Sequence, residues 1–179
     1  LSNFGIGAPV VVSLTEEMIA WGVRQFVILS WGGALQKELN TGDIILNDRA
    51  IRDEGVSHHY LLAEKFIPAD LSLKQKIEDR LNSQNAKFTT GATWTTDAPY
   101  RETMDEILQY QSEGVQTVEM EIAGLFALAQ FRNVKAASVV VVADRLANLK
   151  WESPADMKAI NQSFEVAYNA AIDALNEDA

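Results

Sequence analysis

The chain contains no cysteine, which removes disulfides, thiolate nucleophiles and cysteine-ligated zinc together. Basic residues are scarce: 15 Lys and Arg stand against 25 Asp and Glu, a formal charge of -10 with a pI near 4.6. Phosphate-backbone binding needs clustered Lys and Arg to displace counterions, and no such cluster occurs, so nucleic acid is not an expected partner. Long apolar runs are missing too. Residues 139–143 are typical of the longest, far too short to span a bilayer. No charged, apolar and small-residue succession at the front marks a signal peptide, so the expected location is cytoplasmic, with no membrane partner. The two histidines, His58 and His59, are adjacent and point to different sides, with no third ligand at useful spacing; no metal is expected.

What is present suits a packed core. Of the 179 residues 47% are hydrophobic and 22% charged, in the range of a globular domain. Internal repeats, low-complexity tracts and Pro/Gly/Ser linkers are absent, so one domain over residues 1–179 is expected. Ala8-Pro9 opens a helix carrying Val11, Leu14, Met18 and Ile19, stopped by Gly22. Residues 25–31 form a continuous apolar strand ending in Gly32-Gly33, expected to be buried on both faces. A second strand runs over 43–51, and Asp70 caps a helix with Leu73, Ile77 and Leu81 on one stripe. Further along, 88–94 reads as a strand, 97–100 as its turn, 102–111 as a helix, 115–118 as a short strand and 121–131 as a helix inward through Ile122, Leu125, Phe126 and Ala129. The valine- and alanine-rich stretch 136–143 is the best central strand. Ser153-Pro154 is expected to start a last helix over 155–175 with Ile160, Phe164, Ala167, Ala171 and Leu175 inward. Strands alternating with helices imply an α/β layer fold around a parallel or mixed sheet.

In open α/β sheets ligands bind beyond the carboxyl ends of strands. Segments 30–33, 94–100, 119–121 and 144–145 fall there. Glu119 and Glu121 flank Met120 where a strand meets a helix; such acids either accept sugar hydroxyls or complement the helix dipole. Asp144 follows five consecutive Val/Ala residues. Desolvation there raises a carboxyl toward general-acid values, and capping the next segment or pairing with Arg145 is the alternative. Trp94 stacks on a base or fills the core. Gly5-Ile6-Gly7 resembles a phosphate-cradling turn without the full glycine pattern or a lysine.

Together these segments resemble the nucleoside phosphorylases of the purine nucleoside and uridine phosphorylase type, a family that includes methylthioadenosine nucleosidases. The matching stretches span the chain: residues 5–9, 32–36 with Gly42-Asp43, 52–60, 95–103, 118–121 with 123–125, and Ala143-Asp144. The resemblance implies a three-layer, twisted mixed sheet, partly barrel-like and flanked by helices, in a homo-oligomer built from dimers. It implies cleavage of the N-glycosidic bond of a nucleoside, with transfer of ribose to phosphate as co-substrate and no cofactor. Met120 and Glu121 would hold the ribose and Glu119 would shape the same turn. Asp144 would protonate the leaving purine, which leans the substrate toward purine nucleosides. Trp94 would line the base and sugar pocket, His59 would approach a sugar site, and Gly33 would lie at the phosphate.

Departures from the family pattern point the other way. Its phosphate-gripping arginine, glycine and serine or threonine are replaced by Ile28, Ser30 and Trp31. Isoleucine offers phosphate neither charge nor donor, and tryptophan fills space that the anion needs. The family's N-terminal region, with a glycine-rich phosphate turn and a further arginine, is also missing ahead of Gly5. A catalytically degenerate homologue that binds nucleosides or serves a structural role is therefore the alternative expectation. A phosphate-independent nucleosidase is the third, although no water-activating base is evident.

Overall fold

A computed structural model describes residues 5–154 and 156–177. Its elements in order are α1 (Ala8–Ala20), β1 (Gln25–Ala34), β2 (Ile44–Asp53), a 3-10 turn (Val56–His59), β3 (Phe66–Pro68) and α2 (Leu71–Ser83). Then follow β4 (Phe88–Thr96), a second 3-10 turn (Pro99–Arg101), α3 (Met104–Ser112), β5 (Thr117–Glu119), α4 (Ile122–Arg132), β6 (Lys135–Arg145) and α5 (Met157–Asn176).

The six strands make one mixed sheet in the order β3-β2-β4-β5-β1-β6, and β6 also pairs with β2. That extra pairing bends the sheet into a five-strand ring of β2, β4, β5, β1 and β6, with β3 outside. β6 holds the middle, because it runs parallel to β1 over the whole strand and antiparallel to β2 through Val139–Val141. Successive side chains of a strand point to opposite faces. Ala136, Val140 and Val142 join one apolar cluster with Val11 of α1 and Ile122, Phe126 and Ala129 of α4. Ala137 and Val139 join another with Leu73, Ile77 and Leu81 of α2 and Ala167, Ala170 and Ala174 of α5. Both faces of β6 are therefore covered by helices, which is why its sequence carries no polar alternation. A third cluster packs Trp94, Val118 and Leu146 against Ile107 and Tyr110 of α3.

Three local expectations are corrected. β1 was expected to be buried on both faces, yet Val27 to Ser30 are only half-buried and Trp31 is 49% exposed. The cause is a seam. β1 pairs with β6 throughout, whereas β5 reaches only Gly33 and Ala34. α4 was expected to bury one stripe, but Ile122 to Ala129 are all buried. Gly124 explains this, since a Cβ there would lie 2.9 Å from Ala8 Cβ and 3.1 to 3.2 Å from Val56 and Val12; only a glycine lets α1 and the first 3-10 turn close over the solvent side of the helix. The last helix starts at Met157, and its cap is Asp156, whose carboxylate accepts from Lys158 N and Ala159 N, rather than Ser153. The expected start at Ala155 lies outside the described residues.

Candidate functional site

The register of the strands gathers the expected segments. Gly33 of β1 faces Asp144 of β6 on one side and Val118 of β5 on the other, and Val118 in turn faces Trp94 of β4. The last residues of the parallel pair β1 and β6 thus lie beside those of the parallel pair β4 and β5, which run in the opposite direction, and together they form one rim.

At the β5–α4 corner the two glutamates divide the labour left open by the sequence. Glu119, 5% exposed, folds back so that its carboxylate accepts from Glu121 N at 2.6 Å and Ile122 N at 2.7 Å. It thereby takes two of the donors a helix start leaves unsatisfied. Thr95 adds its hydroxyl at 2.5 Å, while Thr95 Oγ1 itself accepts from Ala123 N at 2.9 Å. Burial lifts the Glu119 carboxyl to about 8, against the pull of these donors. With the cap supplied by Glu119, Glu121 is free to turn away. It is 7% exposed and accepts from Gly7 N at 2.7 Å and Met120 N at 3.2 Å. Gly7 precedes α1 with a φ of 101°, a conformation that glycine reaches without strain; it places the N–H over the carboxylate and ties α1 to α4.

Beside this corner lies a cavity of about 720 Å³, within the range of small-molecule sites. Its walls are Phe26 to Trp31 of β1 along the seam, Ile6 and Val11, the inner side of α5 through Phe164, Tyr168, Ala171, Ile172 and Leu175, and the trio Glu119, Met120 and Glu121. Ile28 and Trp31 both line it, and the Trp31 ring sits 6.2 Å from that of Phe164. Among the described residues that line the cavity there is no Lys, Arg or His. Its charged groups are carboxylates only.

Asp144 lies outside this lining, at the end of β6. Burial raises its carboxyl above the ordinary aspartate value, opposed by a hydrogen bond from the Trp151 indole N–H to Oδ2 at 2.7 Å and, less strongly, by one from the Asp144 backbone N–H. Asp144 Oδ2 is 3.3 Å from where a Cβ on Gly33 would sit, so the missing side chain makes room for the acid. Glu102, just after the second 3-10 turn, is lifted to about 7 by burial and then by the charges of Asp144 and Glu106.

Other expected residues stand elsewhere. Trp94 is 1% exposed, its ring 4.8 Å from Tyr110 and its indole N–H on Asp53 Oδ2 at 2.9 Å; it fills the core behind the rim and does not line the cavity. His59 is exposed on the first 3-10 turn and is not among the lining residues either. Neighbouring His58 faces Arg52, with Nε2 3.2 Å from the Arg52 carbonyl oxygen. Gly33 is buried between β5 and β6, where Leu146 and Val118 leave no space for an anion. Among the described residues no group of three or more His, Cys, Asp or Glu is placed to hold a metal, and no helix is long and apolar enough to cross a membrane. Sequence reasoning missed Ile6, Thr95, Glu102 and Trp151. Only Thr95 left a signal, because Thr89, Thr93 and Thr95 recur on one face of β4, opposite Phe88, Ala92 and Trp94.

The family model described as the phosphorylase superfamily matches residues 1–176. The chain is 30% identical over 172 residues to the DeoD-type purine nucleoside phosphorylase of Bacillus cytotoxicus, a match covering 94% of this chain and 73% of that one. Similar enzymes of Bacillus cereus and Bacillus thuringiensis are 30% identical over 171 residues, with the same coverage. A match over almost the whole chain, on a mixed sheet curled toward a barrel and flanked by helices, places this chain in the phosphorylase superfamily.

Proposed function

We propose that the chain binds a purine nucleoside, with the ribose on Glu121 and Met120 and the base toward Asp144, and cleaves its N-glycosidic bond with transfer of the ribose to phosphate. The observation that carries this reading is the buried Glu121 carboxylate, released from helix capping by Glu119 and set in the wall of the cavity. An ionised carboxylate has lone pairs for both hydroxyls of a ribose. Asp144, held above its ordinary value by burial, suits protonation of a purine ring nitrogen as the bond breaks. The names of the Bacillus relatives favour purine.

A second reading, nucleoside binding without phosphorolysis, is favoured by the cavity's lack of cations. Preorganised positive groups are a major source of stabilisation for an anionic nucleophile, and here Ile28 and Trp31 line the wall instead. The proposed setting is a cytoplasmic homo-oligomer that uses phosphate as co-substrate and needs no cofactor. Exposed Trp21, Leu62, Tyr100 and Phe131 support a covering by further copies, and His59, outside this chain's cavity, would then serve a neighbouring site.

Release of free base from purine and pyrimidine nucleosides, with and without phosphate, tests these readings. Phosphate-dependent release that Asp144→Asn reduces by about 100-fold or more, the usual worth of a positioned acid, supports the first. Binding without release selects the second, and phosphate-independent release makes the chain a nucleosidase.

A further inference from the structure

After β6 the chain does not leave the site. Residues 145–152 form a closed loop pinned at its neck by Arg145 N to the Glu152 carbonyl at 3.1 Å and by Glu152 N to the Arg145 carbonyl at 2.8 Å. Inside it, Leu149 N donates to the Leu146 carbonyl at 2.8 Å, and Leu149 takes a φ of 59°. Gln111 of α3 anchors the loop from outside, its side-chain amide donating to the Ala147 and Leu35 carbonyls at 2.9 and 2.7 Å. This frame carries Trp151, 61% exposed, back over the end of β6, where its indole N–H meets Asp144.

We propose that Trp151 is the positioning residue for Asp144: its indole N–H holds Oδ2 and so orients the carboxyl that delivers the proton. The inference rests on the reading of Asp144 as the acid and adds a residue that acts through it. A tryptophan indole donates and never accepts, so it favours the ionised carboxylate over the protonated one. That contribution counters the effect of burial and keeps the proton transferable. The other charged neighbours are accounted for. Glu102 faces Asp144 across the rim, and the Asp144 charge opposes the ionisation of Glu102. Glu106 acts on Glu102 and is bound by Thr103. Arg145 is turned away toward Glu152 at 3.5 Å and the Lys37 carbonyl at 3.3 Å. A large exposed aromatic with its only polar atom on a carboxylate at a strand end is not explained by core packing.

The test is an NMR titration of the full chain from about pH 3 to about pH 8, spanning the carboxyl range, with indole nitrogens and aspartate carboxyl carbons labelled. The chain has four tryptophans, and W151F identifies the relevant indole signal. In the wild type the Trp151 indole and the Asp144 carboxyl carbon move with a common midpoint, and in D144N the indole signal stops titrating. W151F moves the Asp144 midpoint upward, while W151Q, which keeps an N–H donor without the ring, brings it back toward wild type. An Asp144 midpoint unchanged in W151F, or an indole signal indifferent to pH, overturns the proposal. No nucleoside enters this experiment, so absence of turnover defeats the proposed function without touching the result. Where base is released, W151F also moves the alkaline limb of the rate profile to higher pH, a shift that a merely structural tryptophan would not produce.

Discussion

Glu121 is the residue on which nucleoside binding turns. It is buried, bound to Gly7 N and Met120 N, and placed in the cavity wall. Hydrogen bonds to a charged group are worth about 1.5 to 3 kcal/mol, so Glu121→Ala should weaken nucleoside binding by roughly 10-fold or more; titration calorimetry with inosine checks this, and unchanged affinity would remove Glu121 from the site. The carboxyls of Glu102 and Glu119 also make stability depend on pH. Both are lifted above the ordinary 4.5, to about 7 and about 8. The folded state therefore holds protons that the unfolded chain releases. Their stabilisation is complete below about pH 4.5 and is lost as pH rises through 7 and 8. Denaturant midpoints measured across this window should decline, and Glu102→Gln should flatten the part between about 4.5 and 7. A variant with the wild-type slope would show that Glu102 is solvated.

At the level of elements, the helix starts hold the site in place. Asp70 accepts from Leu73 N at 2.8 Å, and Asp70→Ala should cost about 0.5 to 2 kcal/mol in chemical denaturation without altering nucleoside binding, because α2 lies on the face away from Glu121. Gly124→Ala should behave differently. A methyl 2.9 Å from Ala8 Cβ forces α1 off α4 at about 1 to 3 kcal/mol. Since α1 begins just after Gly7, which donates to Glu121, affinity should fall with stability. Equal affinity in both variants would break the link between α1 docking and the site. The cap of α2 and its stripe were legible in the sequence, because both depend on residues within two turns of each other. The role of Glu119 was not, because a carboxylate three residues before a helix reads the same whether it caps the helix or leaves it.

Over the whole molecule, the seam between β1 and β5 both opens the cavity and leaves a strand edge. Edges and exposed apolar groups favour association. Sedimentation should accordingly give a mass above the 19.8 kDa of one chain; a stable monomer would sink the proposed homo-oligomer. The sequence by itself determined the alternation of strands and helices, the central place of the valine-rich β6 and the family, since hydrophobic period and ordered motifs are properties of neighbours along the chain. It also put Glu121 and Asp144 at strand ends. Only the tertiary structure decided which acid caps α4, that Trp94 serves the core, that His59 stays outside the cavity and that Trp151 reaches Asp144. Those outcomes depend on which strands pair, how far β5 runs beside β1 and where a loop returns, contacts made between distant residues that local pattern does not encode.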